Sequence, residues 1–299
     1  MTTPSSTQKT SLPSTLHSTP LTTRNHDRDS AGMTYVYPVL SRRAGGLSVG
    51  INLNPNNACN WRCVYCQVPD LKRGGPPPID LAQLEDELRR MLDDILHGDF
   101  MLHSAPPEMR RLNDVALSGN GEPTSAPEFS SVVDLIGRVL TNYDLAGKIK
   151  LVLITNGSLA NKPQVQAGLR RMAQLNGEVW FKFDRATRIG LQQVNDTETE
   201  PERHFQRLKS VSQLCPTWIQ TCMFGLDGAP PAEAEIDAWL AMLARAKAEN
   251  LPILGVLLYG LARPSLQAES SRLSRLPEEW LRALAVRVEK LGWAVQVSF

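Results

Sequence analysis

Three thiols lie within eight residues, in Cys59-Asn60-Trp61-Arg62-Cys63-Val64-Tyr65-Cys66, at the spacing C-x3-C-x2-C. Thiolates are soft ligands suited to iron–sulfur clusters and to zinc, and both commonly take four protein ligands. This stretch offers three, and the next cysteine is Cys215. A cubane held by three thiolates keeps one iron without a protein ligand, an open position that can bind and activate another molecule. Other chemistries stay in view. A structural zinc site needs a fourth ligand; His97 and His103 are the nearest histidines downstream, and no second C-x2-C pair exists. A closed ferredoxin-type cluster also lacks a ligand, and the spacing is one residue short of the plant-type pattern. Three buried, inert cysteines would be packed unusually tightly beside Gly- and Pro-rich loop sequence.

Further polar stretches follow apolar runs. Gly119-Asn120-Gly121-Glu122-Pro123-Thr124 follows Val115–Ser118; its glycines permit unusual backbone angles and close ligand approach, and Glu122 can pair with an ammonium group. It also reads as plain strand-to-helix punctuation. Thr155-Asn156-Gly157-Ser158 contains a strong hairpin signal, but Lys162-Pro163 and a helical pattern follow, so the chain crosses over. In Phe181-Lys182-Phe183-Asp184, alternation puts Lys182 and Asp184 on one face. There they either meet a ligand or, on an edge strand, meet solvent. Asn195, after Val194, has no evident role. Cys215 and Cys222 read as buried apolar cysteines. Ser41-Arg42-Arg43 and Lys72-Arg73-Gly74-Gly75 read as a solvated rim, with an anionic ligand such as RNA as the other reading.

The elements that must carry these residues alternate. Leu47–Leu53 is the first strand and delivers the cysteines at its end. Asp80 with Gln83 resembles a capping box, with Leu81, Leu84, Leu88, Leu92 and Ile95 at helical spacing up to Gly98. Strands follow at Val115–Ser118, Ile149–Thr155, Val179–Phe183, Trp218–Phe224, Ile253–Leu258 and Trp293–Val297. Helices lie between them: from Pro127 through Leu140, Pro163–Leu175, through Phe205, Leu208 and Val211, Ala232–Glu249 and Pro277–Leu291. This order calls for parallel strands with crossover helices, as a doubly wound sheet or as a barrel. Residues 1–32 are Ser-, Thr- and Pro-rich and read as a disordered tail, with Met33 as an alternative start and the folded domain at 33–299.

The chain has 32 basic and 31 acidic residues, so bulk charge demands no nucleic-acid partner. Five cysteines, three of them clustered, fit a reducing compartment better than a disulfide framework. No stretch reaches membrane-spanning length and no signal peptide is visible, which makes the cytoplasm the expected location.

The cysteine spacing, with an aromatic residue before Cys66, resembles the signature of the radical S-adenosylmethionine (radical SAM) superfamily. The resemblance implies a [4Fe–4S] cluster on Cys59, Cys63 and Cys66, with the cofactor's methionine chelating the fourth iron. It implies an α/β fold, a parallel (β/α)6 partial TIM-type barrel, and cofactor contacts from Gly119, Asn120, Gly121 and Glu122 to the amino group. It further implies Thr155 and Asn156 near the ribose, Tyr65 over the cluster near the adenine, and Lys182 and Asp184 at the carboxylate and ribose. Implied activity is reductive cleavage of S-adenosylmethionine to a 5′-deoxyadenosyl radical that abstracts hydrogen from substrate. The electron would come from an external flavodoxin- or ferredoxin-like donor. Tyr37-Pro38-Val39-Leu40-Ser41-Arg42-Arg43, Gln220-Thr221 and Leu261-Ala262-Arg263-Pro264 are similar to the group related to wyosine-base synthases acting on transfer RNA. Residues 1–58 lack the additional cysteine triad of archaeal-type members of that group. The substrate class therefore stays open: a transfer-RNA base, or a peptide, protein or small metabolite. A non-catalytic iron–sulfur or zinc module is the alternative from another class.

Overall fold

The computed structural model describes residues 21–22, 31–41 and 45–299. The expected tail and the arginines at 42 and 43 fall wholly or largely outside them. Eight strands form one sheet: β1 (Val36–Ser41), β2 (Gly46–Asn52), β3 (Leu112–Ser118), β4 (Lys150–Thr155), β5 (Gly177–Lys182), β6 (Thr217–Cys222), β7 (Ile253–Tyr259) and β8 (Val295–Ser298). Their spatial order is their order in the chain. Strand β1 runs antiparallel to β2, and every later neighbour is parallel. A doubly wound sheet would reverse its order at a switch point. Winding always in one direction puts the crossovers on one side, as in a barrel left open.

Alternation along each strand sorts the two faces. Leu47, Val49, Ile51, Val115, Leu117, Leu151, Leu153, Val179, Phe181, Ile219, Val256 and Leu258 belong to one buried apolar cluster with the helices. Ser48, Asp114, Ala116, Ser118, Ile154, Trp180, Lys182 and Gln220, from the alternate positions, line the concave interior. The outer layer comprises α1 (Leu81–His97), α2 (Phe100–Ser104), α3 (Phe129–Asn142), α4 (Pro163–Gln174), α5 (Arg188–Asn195), α6 (Pro201–Ser212), α7 (Glu233–Ala248) and α8 (Glu278–Glu289). Helix α1 buries Leu84, Leu88, Met91, Leu92 and Ile95 at the expected spacing. Each such side chain contributes roughly 1.5–3 kcal/mol on burial.

Several details differ from the sequence expectations. The sheet starts one strand earlier, at β1, whose Pro38 lacks an N–H and is tolerated because β1 is an edge strand. Glu87, buried in α1, holds the start of β1 by accepting from the N–H groups of Thr34, Tyr35 and Val36 at 2.9, 2.7 and 3.2 Å. Asp80 caps α1 by accepting from Ala82 and Gln83 N–H, each at 3.0 Å. Gln83, however, donates to Thr34 and Glu87 and completes no capping box; the N–H of Asp80 goes to the Tyr35 hydroxyl. Helix α5 was not anticipated. Its entry is set by Thr187 and by Glu235 of α7, which accepts from the N–H groups of Ala186 and Thr187 at 2.8 and 3.2 Å.

Candidate active site at the carboxyl ends of the strands

The loop that leaves β2 is built by asparagines. Asn52 Oδ1 accepts from the N–H groups of Asn54 and Asn120, at 3.1 and 3.0 Å, and Asn54 Nδ2 donates to Ala58 O at 2.8 Å. A short parallel pairing of Ala58–Cys59 with Lys72–Arg73 closes the base of the loop. Its middle docks on α5, with Val64 N–H donating to Val194 O at 2.9 Å and Arg62 N–H to Asn195 O at 3.3 Å. A distant segment then straps it down. Ser265 Oγ donates to Val64 O at 2.7 Å, Leu266 N–H to Cys66 O at 2.9 Å, and Gln267 Nε2 to Val68 O at 2.9 Å. Arg62 grips Glu269 with both terminal nitrogens, at 3.0 and 2.7 Å, and Asp196 with Nε at 3.2 Å.

Cys59, Cys63 and Cys66 are free and partly accessible, and all three open on one cavity of about 280 Å³. Burial pushes the Cys59 thiol up to about 11. Burial likewise pushes Cys63 up to about 12, opposed by Lys182 and by a hydrogen bond from Asn195. Metal cations reverse that penalty by taking up the thiolate charge. Among the described residues, no three His, Cys, Asp or Glu side chains gather closely enough for a single metal ion. The three thiols line one chamber. That donor set fits a cubane, which takes one thiolate on each of three irons.

The two turns at the ends of β3 and β4 share one carboxylate. Glu122 Oε1 accepts from Thr124 N–H at 3.1 Å, from Thr124 Oγ1 at 2.6 Å and from Thr155 Oγ1 at 2.6 Å. Its Oε2 accepts from Asn156 N–H at 2.7 Å. Burial raises the pKa of Glu122, and these hydrogen bonds pull it back. The glycines are demanded by neighbours. A Cβ on Gly121 would lie 2.1 Å from Ala58 O, and one on Gly157, at φ +65°, would lie 2.1 Å from the Phe181 ring. Gly119 through Glu122 and Asn156 line the cavity, whereas Thr155 stands behind Glu122.

Strand β5 is central in the sheet, so the edge-strand reading of Lys182 falls away. Lys182 ends β5 facing the cavity, its ammonium 4.8 Å from the centre of the Tyr65 ring. Burial opposes that charge, but Tyr259, Asp184, Cys63 and Cys222 outweigh it and hold the ammonium above its usual range. Asp184 does not share this position, because the strand stops at Lys182 and alternation stops with it. Only 1% exposed, it accepts from the Tyr65 hydroxyl at 2.5 Å, Asn195 Nδ2 at 2.8 Å and Cys222 N–H at 2.9 Å. Beneath Trp61, His204 packs among Phe181 and Phe183, its Nε2 bonded to Lys182 O at 2.9 Å; burial pulls its pKa down to about 4.

The family model for the Radical SAM superfamily matches residues 53–261, a span that contains the three cysteines, the Gly119–Glu122 turn, Asn156, Lys182 and Asp184. The chain belongs to the radical SAM superfamily. That family uses a [4Fe–4S] cluster and S-adenosylmethionine as cofactors. In fold, the chain resembles TYW1 with a lysine–pyruvate adduct bound, at a TM-score of 0.55 and 14% identity, covering 81% of this chain and 73% of that one. It also resembles a radical SAM methyltransferase from Sphaerobacter thermophilus, at a TM-score of 0.51 and 12% identity, over 88% of this chain and 68% of that one. In sequence it is similar to a UPF0026 protein of Helicobacter pylori strain 26695, 27% identical over 44% of this chain and 38% of the relative. A UPF0026 protein of Synechocystis, slr1464, is 29% identical over 54% of this chain and 52% of the relative. The matches thus span about half or less of these relatives' length.

Some features of this radical SAM chamber were not evident from sequence. Gln220 projects from β6 beside Lys182, with its Oε1 buried and unpartnered, and Asn120 Oδ1 is unpartnered as well. Tyr37 lies across Gly50 and reaches Ser118 Oγ at 2.9 Å; a Cβ on Gly50 would sit 2.2 Å from that ring. Gln220 stood in a recognisable Gln-Thr pair, but nothing local signals that Tyr37 crosses a strand. Of the remaining cysteines, Cys215 is buried with its thiol toward Gly177 O, and Cys222 is buried at the cavity wall. Among the described rim residues, Arg73 pairs with Asp196 and Arg272 with Asp227. No helix among the described residues is long and apolar enough to cross a membrane.

Proposed function

We propose that the protein is a radical SAM enzyme whose cluster rides on Cys59, Cys63 and Cys66 and whose S-adenosylmethionine occupies the adjoining part of the chamber. The observation that carries this reading is the opening of three free thiols onto the same cavity as the Gly119–Glu122 turn and Lys182. Bound there, the two cofactors supply reductive cleavage to a 5′-deoxyadenosyl radical for hydrogen abstraction, with electrons from an external flavodoxin- or ferredoxin-like donor.

The chain's own groups have distinct tasks. Lys182 offers a fixed positive charge for a carboxylate. Asn120 and Gln220 offer unpartnered amide oxygens to N–H or O–H donors. Gly119 and Gly121 let the turn pack closely on Asn52, Asn54 and Ala58 and so fix its place in the chamber, and Tyr65 and Trp61 exclude water from the cysteines' side. Glu122 and Asn156 are the cofactor positions that line the chamber, with Thr155 supporting Glu122 from behind and Asp184 supporting Tyr65. Glu122 and Asp184 have their oxygens engaged within the chain, so they act mainly by holding the Asn156 turn and the Tyr65 ring in place.

The substrate half of the chamber carries Tyr37, Ser48, Asp114 and Trp180. A transfer-RNA base is the first reading, supported by the sequence likeness of residues 37–43 to the wyosine-related group. A small metabolite, peptide or protein is the second, favoured by the ion pairing of Arg62, Arg73 and Arg272, which leaves those charges less free for a phosphate backbone.

Anaerobic reconstitution with iron and sulfide tests the core of the reading. A brown protein that yields 5′-deoxyadenosine on reduction with S-adenosylmethionine supports it. Cys63→Ala is expected to abolish both signals, while Cys215→Ala retains them. A colourless protein that takes up zinc instead sinks it. Comparing RNA modifications and metabolites in cells with and without the protein separates the two substrate readings.

A further inference from the structure

We propose that Asn195 is a positioning residue for the cluster: its side-chain N–H donates to the Cys63 sulfur and raises the cluster's reduction potential, with Asp184 fixing the amide's orientation. The inference rests on the reading that Cys63 is a cluster ligand.

Asn195 closes α5 and is fully buried, and the next residue, Asp196, turns the chain away in the left-handed conformation at φ 49°. The last turn of α5 is seated on the cysteine loop through backbone bonds from Val64 and Arg62, so the side chain is delivered to a fixed place. Its Nδ2 lies 3.2 Å from Cys63 Sγ and 2.8 Å from Asp184 Oδ2. Both neighbours are acceptors toward a donor, so reversing the amide would set an oxygen against a carboxylate. Asp184 cannot turn aside, because Tyr65 and Cys222 N–H hold it as well. The amide oxygen, Oδ1, is buried without a partner. An apolar side chain of similar volume would avoid that cost, so packing alone does not account for an amide here. What the amide adds is its two N–H bonds.

Hydrogen bonds to cluster sulfurs favour the reduced, more negative state and so set the potential. Only the difference between the bond's strength to the reduced and to the oxidised cluster moves the potential, and a difference of about tenfold in the equilibrium is the effect the test reads.

The test compares the reconstituted full chain with Asn195→Leu and Asn195→Met. Reduced cluster is measured by electron paramagnetic resonance at a series of fixed potentials. At equal iron and sulfide content, both variants should show about a tenfold lower ratio of reduced to oxidised cluster, equivalent to about 59 mV for a one-electron couple. Asn195→Gln, which keeps an N–H donor, should recover much of that ratio. An unchanged ratio in a cluster-bearing Leu or Met variant overturns the proposal. If both apolar variants lose the cluster, retention by Asn195→Gln supports the donor, and loss from all three overturns it in favour of a packing role. A wild-type chain that assembles no cluster is a separate result: it removes the ligand assignment, and this proposal with it.

Discussion

The backbone N–H of Asn156 donates to Glu122 Oε2 at 2.7 Å, which joins the turn after β4 to the turn after β3. Both turns therefore answer to one buried carboxylate, and they cannot move independently.

Glu122→Gln puts an amide where four donors converge on two oxygens. At least one bond is lost and one donor faces another, a cost of about 1–3 kcal/mol. The denaturation midpoint should fall, with S-adenosylmethionine binding weakened while cluster content holds. An unchanged midpoint would show that the carboxylate does not organise the two turns.

Gly121→Ala and Gly75→Ala form a matched pair beside the cysteine loop. The first drives a Cβ to within 2.1 Å of Ala58 O, while the second meets nothing within 4 Å. Backbone must shift in the first case, so iron incorporation should drop severalfold; in the second it should match wild type. Equal incorporation by both proteins would contradict the close approach.

His204 is held neutral by burial, its pKa moved from 6.5 down to about 4. Its contribution is complete above the unfolded value and is lost as pH falls from about 6.5 to 4, because the unfolded chain then takes up the proton first. A shift of this size corresponds to about 3 kcal/mol across that window. His204→Leu should be less stable than wild type at pH 7.5, with the gap narrowing toward pH 4. Parallel stability curves for the two proteins would refute the assignment.

Arg62→Met removes the grip on Glu269 and Asp196 while keeping the length of the side chain. Because the pairs are partly exposed, global stability should change by only about 1 kcal/mol. Hydrogen exchange across residues 59–66 should nonetheless speed up well beyond the rest of the chain. Uniform exchange would mean that backbone bonds alone fix the loop.

Much of this was legible in the sequence for simple reasons. Thiol chemistry depends on residue type and spacing, so Cys59, Cys63 and Cys66 stand out in the sequence, and they line one cavity. Period-two strands and long amphipathic helices such as α1 carry their pattern within one segment. Strand β1 was hidden because Pro38 argues locally against a strand, and only its place at the sheet edge permits it. Helix α5 is short, and its start depends on Glu235, which is 48 residues beyond Thr187. Asn195 was noticed without a role, since its sulfur partner lies 132 residues earlier. Alternation misplaced Asp184 because the pattern assumes a strand that continues, and β5 ends two residues before it.

Each strand of the sheet lies beside the one made just before it, so synthesis can lay down the half-barrel unit by unit. The fastening of the cysteine loop breaks that rule, since Ser265 reaches back 201 residues to Val64. During translation the loop emerges early, and this part of its fastening arrives only after five more strands have been delivered to the sheet. A nascent chain stopped short of Ser265 would hold its three thiols by the contacts with α5 and the pairing of Ala58–Cys59 with Lys72–Arg73 alone, and only one carried past Glu269 would have the strap as well.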